Sequence, residues 1–241
     1  MTDSIKTIRK RLTDTGWFQS DGAYTLFDGQ YGSTGKGLLA CVIAEAMGDQ
    51  IDTVATNAGP NSGHTAYFNG EKIMTQQIPV ASITMDRMHL GHTCYLNGGA
   101  VIDPEQLLKE AGYYSGTEID LIVHPHAAVI RPEHKGDAHS DIASTGKGVG
   151  PAMAAKLGRK SSAVVEGAEF YDDGTLWPNA ASMDILKPDD MGRCFVETAQ
   201  GWSLGINSGF YPYTTSRECS VTQALADLGV SPRAHRKSVA C

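Results

Sequence analysis

The chain has 241 residues, 41% of them hydrophobic and 20% charged, with a formal net charge of −7. That balance fits one large globular domain or two small ones. An acidic chain lacks the basic face of a duplex nucleic-acid binder, and no apolar run is long enough to span a bilayer, so neither nucleic acid nor membrane is expected as a partner. Five cysteines, an odd number with no Cys-x-x-Cys spacing, and no secretory signal peptide point to a reduced, cytoplasmic setting.

In chain order, residues 2–16 pattern as a basic amphipathic helix with Ile5, Ile8 and Leu12 on one face, Asp3 or Ser4 as its cap and Gly16 at its end. "AYTLFDG" (23–29) reads as a buried strand and "KGLLACVIAEAMG" (36–48) as the helix after it. "IDTVATN" (51–57) is a second strand, followed by the loop "AGPNSGHT" (58–65) and a hairpin over 65–74 that turns at Asn69-Gly70. A strand with a glycine break is expected over 92–102. A helix over 103–112 is signalled by Asp103 as cap, Pro104 in the first turn and Gly112 at the end. A strong strand follows at 120–130, a short helix at 149–160, a turn-rich surface excursion at 171–190, a last strand at 193–201, and a helix over 220–231 capped by Ser220. Strands alternating with helices imply an α/β fold with a mostly parallel central sheet flanked by helices.

One pentapeptide occurs twice. Ser33-Thr34-Gly35-Lys36-Gly37 returns as Ser144-Thr145-Gly146-Lys147-Gly148, with unrelated flanks, so duplication is rejected. Glycines let a backbone turn tightly against a ligand, and a following helix offers its N-terminal amides to an anion. Neither copy is a Walker A loop, because Gly37 and Gly148, not Ser or Thr, follow the lysines. Two phosphate loops and two plain glycine turns remain equally open on these residues alone. His89, His92 and Cys94 look spaced for a metal, but alternation along a strand separates the histidines, and they read as ordinary strand residues. His124 and His126 end a strand, where a ligand contact is conceivable.

Six segments together go further: "GQYGSTGKG", "PNSGHT", "GGAVIDPE", "STGKGVGPAMAAKLGR", "VETAQG" and "FYPYTTS". Their order resembles that of the adenylosuccinate synthetase motifs, among them G-x-Q-W-G-D-E-G-K-G, N-x-G-H-T, T-T-G-x-G-I-G-P, E-G-A-Q-G and Y-P-Y-V-T-S. The resemblance runs from about Tyr24 to Leu228 and implies a P-loop NTPase-like fold of that family, with residues 1–20 as a helical extension and 21–241 as an incomplete nucleotide-binding domain. It implies that Gly32, Ser33, Thr34, Gly35, Lys36, Gly37, Gly63, His64 and Thr65 surround a nucleoside triphosphate, ATP or GTP. His64 would be the general acid and Lys36 the lysine near the phosphates, with Mg²⁺ held at the Gly63 carbonyl and position 33. It further implies that Ser33, Asn61, Ser144, Thr145, Gln200 and Thr215 contact a purine monophosphate, and that Arg159 reaches its 5′-phosphate from the other subunit of a homodimer.

The departure that matters is Ser33, where the family carries its catalytic Asp. A serine hydroxyl is no base near neutral pH without a partner. The phage-borne branch that makes 2-aminoadenylosuccinate from dGMP has the same "GSTGKG", and a neutral, smaller residue leaves room beside a 2-amino group. The expected reaction is therefore ligation of aspartate to dGMP, the alternatives being the ordinary reaction with IMP and a nucleotide-binding fragment without activity. The resemblance covers roughly the first two-thirds of a full enzyme. No candidate appears for the aspartate loop or for the residues that read the triphosphate base, so a truncated reading frame or one part of a split protein is expected.

Overall fold

A computed structural model describes residues 2–115, 118–136, 144–167, 181–208 and 210–241. The first strand, β1 (Gly22–Phe27), is buried along its middle four residues and leads through a glycine loop into helix α2 (Lys36–Met47), which α1 (Asp3–Asp14) precedes in the chain. Strand β2 (Thr53–Thr56) is wholly buried, as expected for a parallel strand covered on both faces. The hairpin β3 (His64–Phe68) and β4 (Glu71–Thr75) turns at Asn69 and Gly70, both at positive φ (48° and 83°), which is the type I′ geometry their sequence calls for. Helix α3 (Val80–Arg87) and strand β5 (His92–Leu96) follow. Then come β6 (Val101–Ile102), α4 (Pro104–Ala111), β7 (Ile119–Val123), β8 (Ala128–Val129), α5 (Val149–Leu157), β9 (Ala181–Met183), β10 (Arg193–Glu197), α6 (Val221–Leu228) and β11 (His235–Ala240).

The main sheet has seven strands in the order β11-β1-β10-β2-β5-β7-β9, and every pairing in it is parallel. Its register aligns Leu26 with Glu197, Glu197 with Thr56, Thr56 with Leu96 and Leu96 with Val123. The segments after these residues therefore leave from one edge of the sheet, the carboxyl edge where parallel α/β folds place their sites.

Helix α1 is held by its apolar face and by ion pairs. Ile5 is buried, and the turn after the helix inserts Trp17 and Phe18, with Phe18 4.5 Å from the Tyr24 ring and edge-on to Phe195. Arg9 donates to the Ala46 carbonyl and forks onto Asp49, so it satisfies an orphan carbonyl in the last turn of α2.

Several expectations need correction. Thr2, not Asp3 or Ser4, caps α1, its hydroxyl accepting from the Ile5 amide. Asp103 occupies the cap position of α4 but makes no cap bond; Lys135 pairs with it at 2.8 Å instead. The strand expected over 92–102 is two strands in different sheets, and that over 120–130 likewise breaks after Val123. The strand expected over 193–201 ends at Glu197 and is not the last, since β11 follows it, and α5 ends at Leu157, before Gly158, rather than at 160. Of the excursion at 171–190, residues 171–180 lie outside the described residues, and Ala181–Met183 form the edge strand β9. His89 lies off the strand at φ 57°, while His92 is bonded to Ser82 and the Leu90 carbonyl. No group of three His, Cys, Asp or Glu side chains suited to a metal occurs among the described residues. Among the same residues, no helix is long and apolar enough to cross a membrane.

Candidate functional site

Both pentapeptide copies end at helix N-termini. Gly35, at φ 97°, precedes α2, and Gly148, at φ 84°, precedes α5; neither helix has a side-chain cap. Left-handed backbone at both points explains why glycine stands there. The first amides of each helix are left to other partners, the arrangement that favours anions.

The first loop is packed from two sides. A Cβ on Gly37 would lie 2.7 Å from the Thr65 amide and 2.8 Å from the Thr65 carbonyl, so only glycine lets α2 rest on the His64–Thr65 backbone. A Cβ on Gly201 would lie 2.4 Å from both the Gln30 carbonyl and the Gly32 amide, so the turn after β10 closes on the loop from the other side. The Lys36 side chain is buried, donating to the Gln200 carbonyl at 2.8 Å and the Gly32 carbonyl at 3.2 Å, with its ammonium 3.5 Å from Asp28. Asp28 is buried and accepts from the Gln30 amide and the Thr34 hydroxyl. Burial opposes its ionisation, yet the Thr34 and Gln30 bonds and the Lys36 charge leave its carboxyl below the ordinary value. Ser33, Thr34 and Gly35 are exposed on the loop's outer side.

His64 is also buried, and its Nδ1 is paired with the carboxylate of Glu197. Glu197 is fully buried and accepts further from the Val80 and Ala81 amides at the start of α3. A carboxylate against a helix N-terminus is stabilised there, and it orients the imidazole so that Nε2 is the ring nitrogen left for other work. Gly63 and Thr65 flank this histidine on the exposed side.

Around the second loop lies a cavity of about 360 Å³ whose wall includes Asn61, Ser144, Thr145, Lys147, Gln200 and Thr215. Five of these, all but Lys147, belong to the monophosphate set expected from sequence, although they lie far apart in the chain. Ser33 is not in that wall, and neither is Arg159, which is exposed just past the end of α5 at φ 56°. Asn61 Oδ1 and Thr215 Oγ1 are buried without a hydrogen-bond partner among the described residues. A buried polar atom left unpaired costs about 1–3 kcal/mol, and both of these belong to residues that line the cavity, which makes it a candidate place for a ligand.

Hydrogen bonds tie the first loop to the cavity wall that Gln200 and Asn61 share with the second. Gln200, at φ 63°, reaches Asn61 and Ser62, while its carbonyl receives Lys36. Asn57 accepts from the Ala199 amide and donates to Asp227. The buried Arg217 donates to the carbonyls of Asn57 and Gly99, tying the Thr214–Ser216 segment to the sheet edge. Sequence reasoning singled out neither Asp28, Glu197, Asn57 nor Arg217. Glu197 had a signal, since it stands in "VETAQG"; Asp28 had one in the strand end "LFDG".

Fold and site define a parallel α/β protein whose carboxyl edge carries two glycine loops at helix N-termini, with Gln200 bonded to the first and lining the cavity beside the second. The chain belongs to the adenylosuccinate synthetase family, whose model matches residues 26–174. It is 34% identical to the N6-succino-2-amino-2′-deoxyadenylate synthase of Salmonella phage PMBT28, over 91% of this chain and 63% of that protein. Among solved structures it resembles the succinoaminodeoxyadenylate synthetase of cyanophage S-2L, bound to dGMP and to dATP as an energy donor. The TM-score is 0.76 at 31% identity, covering 91% of this chain and 63% of that one. The fold is shared with adenylosuccinate synthetase from Plasmodium falciparum, at TM-score 0.73 and 18% identity over 90% and 60% of the two chains. The chain thus spans about three-fifths of the length of its relatives.

Proposed function

We propose that this chain takes part in ATP- or GTP-driven ligation of L-aspartate to C6 of dGMP, giving 2-amino-2′-deoxyadenylosuccinate. The observation that carries the proposal is the cavity at the second loop, with Asn61 Oδ1 and Thr215 Oγ1 unpaired in its neighbourhood. The phage relatives' names and the dGMP and dATP of the cyanophage structure support this choice of substrates over IMP.

In the proposed reaction O6 of the base attacks the γ-phosphorus of the triphosphate as the N1 proton passes to water. The nucleoside diphosphate leaves, and the 6-phosphoryl group is then displaced by the aspartate amine. An oxo group leaves poorly and a phosphate leaves well, which is why a triphosphate is spent. Lys36, at the foot of the first loop, and the amides of Gly32, Ser33, Thr34, Gly35 and Gly37 would face the triphosphate. His64, oriented by Glu197, would donate a hydrogen bond from Nε2 to the oxygen on which charge develops. Ser144, Thr145, Asn61, Gln200 and Thr215 would hold the monophosphate, and Arg159, exposed and absent from the wall of that cavity, would complete the pocket of a second copy in a homodimer.

The donors at the first loop suit Mg²⁺ held mainly by phosphate oxygens and water: Ser33 is exposed, and Gly63 opens onto free space. There the Ser33 hydroxyl and the Gly63 carbonyl would be the protein's ligands, and the ion would neutralise phosphate charge. We further assign residues 1–20 to a helical extension, residues 21–241 to the nucleotide-binding unit, and the protein to the cytoplasm.

The test is thermal stabilisation by dGMP and by IMP, each with Mg²⁺ and ATP or GTP. A ligand at a hundredfold excess over Kd adds about 2.7 kcal/mol, or roughly 5–10 °C for a chain of this size. A shift with dGMP and little with IMP is expected. The reverse order overturns the substrate assignment, and no shift with either overturns the site.

A further inference from the structure

The first loop carries its carboxylate at a different position from the family pattern. In the pattern G-x-Q-W-G-D-E-G-K-G the first position is glycine and the sixth is aspartate. In this chain, "DGQYGSTGKG", Asp28 stands first and Ser33 sixth, and Asp28 is the only acidic residue from 28 to 37. The two positions differ in what surrounds them. Ser33 is exposed on the outer side of the loop. Asp28 is buried at the foot, where one carboxylate oxygen takes the Gln30 amide at 2.7 Å and the other takes the Thr34 hydroxyl and lies 3.5 Å from the Lys36 ammonium. The turn at Gly201 closes over it: a Cβ there would lie 2.8 Å from Asp28 Oδ1, and the Asp28 carbonyl accepts the Trp202 amide at 2.9 Å.

A buried ammonium needs a nearby negative charge, since one left alone destabilises the fold strongly. Lys36 has two carbonyls and one carboxylate, and the carboxylate is Asp28. We propose that Asp28 is a positioning residue that balances Lys36 from beneath the loop, and that this charge is what permits a neutral residue at position 33. The inference rests on the function proposed above. It has a direct consequence. Ser33→Asp alone would add a second carboxylate to a ten-residue loop that already holds one, and like charges oppose each other's ionisation. The exchange of specificity therefore requires both positions to change.

The experiment is a double-mutant cycle on the whole chain: wild type, S33D, D28G and S33D with D28G, with D28N as the isosteric control that keeps an acceptor for Thr34. Two readouts are taken, affinity for dGMP and for IMP by calorimetry, and the ligand-free melting temperature. S33D alone is expected to weaken dGMP binding without gaining IMP. The double variant is expected to bind IMP at least about tenfold better than the two single effects predict, a coupling of roughly 1.4 kcal/mol. It is also expected to melt higher than additivity allows. A change in the ratio of the two affinities separates this role from mere support of the fold, which would weaken both ligands alike. If D28G or D28N does not fold while the double variant does, that is the same coupling in stronger form. Additivity in both readouts overturns the inference, as does a switch to IMP by S33D alone. A wild-type chain that binds neither monophosphate overturns the proposed function, and the ligand-free cycle then decides Asp28 by itself.

Discussion

Gly37→Ala sets two effects of opposite sign against each other. On helix propensity alone, replacing a glycine in α2 by alanine would stabilise the protein by up to about 1 kcal/mol. The structure places the new Cβ 2.7 Å and 2.8 Å from the Thr65 amide and carbonyl, and 3.1 Å from the His64 carbonyl carbon. All three are backbone atoms, so no side chain can swing aside, and α2 must retreat by roughly half an ångström or more. Overpacking of this kind costs about 1–3 kcal/mol, which outweighs the propensity gain. A fall in melting temperature of about 2–6 °C is expected for a domain of this size. Because Lys36 moves with the helix while His64 stays with β3, nucleotide affinity should fall as well as stability. Thermal melts with and without nucleotide measure both. Gly150→Ala in α5 is the control for the ligand-free melt alone, since its Cβ would meet nothing within 4 Å but would enter the cavity at the second loop. A Gly37→Ala chain that melts at or above the wild-type temperature refutes the packing of α2 on the His64–Thr65 backbone.

Two further outcomes follow from single side chains. Glu197→Gln removes the charge that holds His64 Nδ1 and the first amides of α3 but keeps the shape. It is expected to destabilise the chain by about 1–3 kcal/mol in urea unfolding, and to lower turnover, where the complete activity can be assayed, with little change in dGMP affinity. His124 is held at about 4, against an ordinary value of 6.5, by burial first and then by His126 and Lys156. Its depressed value means that the unfolded chain binds more protons between pH 6.5 and 4, so stability falls as the pH drops through that window and levels off below it. His124→Gln should flatten that part of the urea-midpoint profile; an unchanged slope would place the titration elsewhere.

The sequence showed most where local chemistry and spacing agree. Asn69-Gly70 specified its turn, Ser220 and Gly229 bounded α6, and both glycine loops could be recognised before helices. It showed least where a segment's structure is set by something distant. Helix α3 carries β-branched residues and has no side-chain cap; its first amides are satisfied by Glu197, more than a hundred positions later. Strand β11 alternates half-buried and exposed residues in a charged segment, and only pairing with β1 makes it a strand. At the site, Ser33 was legible as a departure from a pattern. The role of Asp28 was not, because nothing in the spelling "LFDG" says that Lys36 and Thr34 will turn back onto it. The cavity wall could be listed from motifs but not assembled, since Asn61, Thr145, Gln200 and Thr215 meet only once the sheet order is fixed.

That sheet order has a consequence for how the protein comes into being. Strand β1 lies between β10 and β11, so the strand that launches the first loop has both neighbours at residues 193–197 and 235–240. During synthesis its apolar residues, Ala23, Tyr24 and Leu26 among them, leave the ribosome long before either flanking strand exists. Loop closure over such separations is entropically slow, and parallel pairing cannot begin locally. The first loop therefore takes its setting only after both flanking strands have been made, and until then the nascent chain carries an open strand able to pair with another chain.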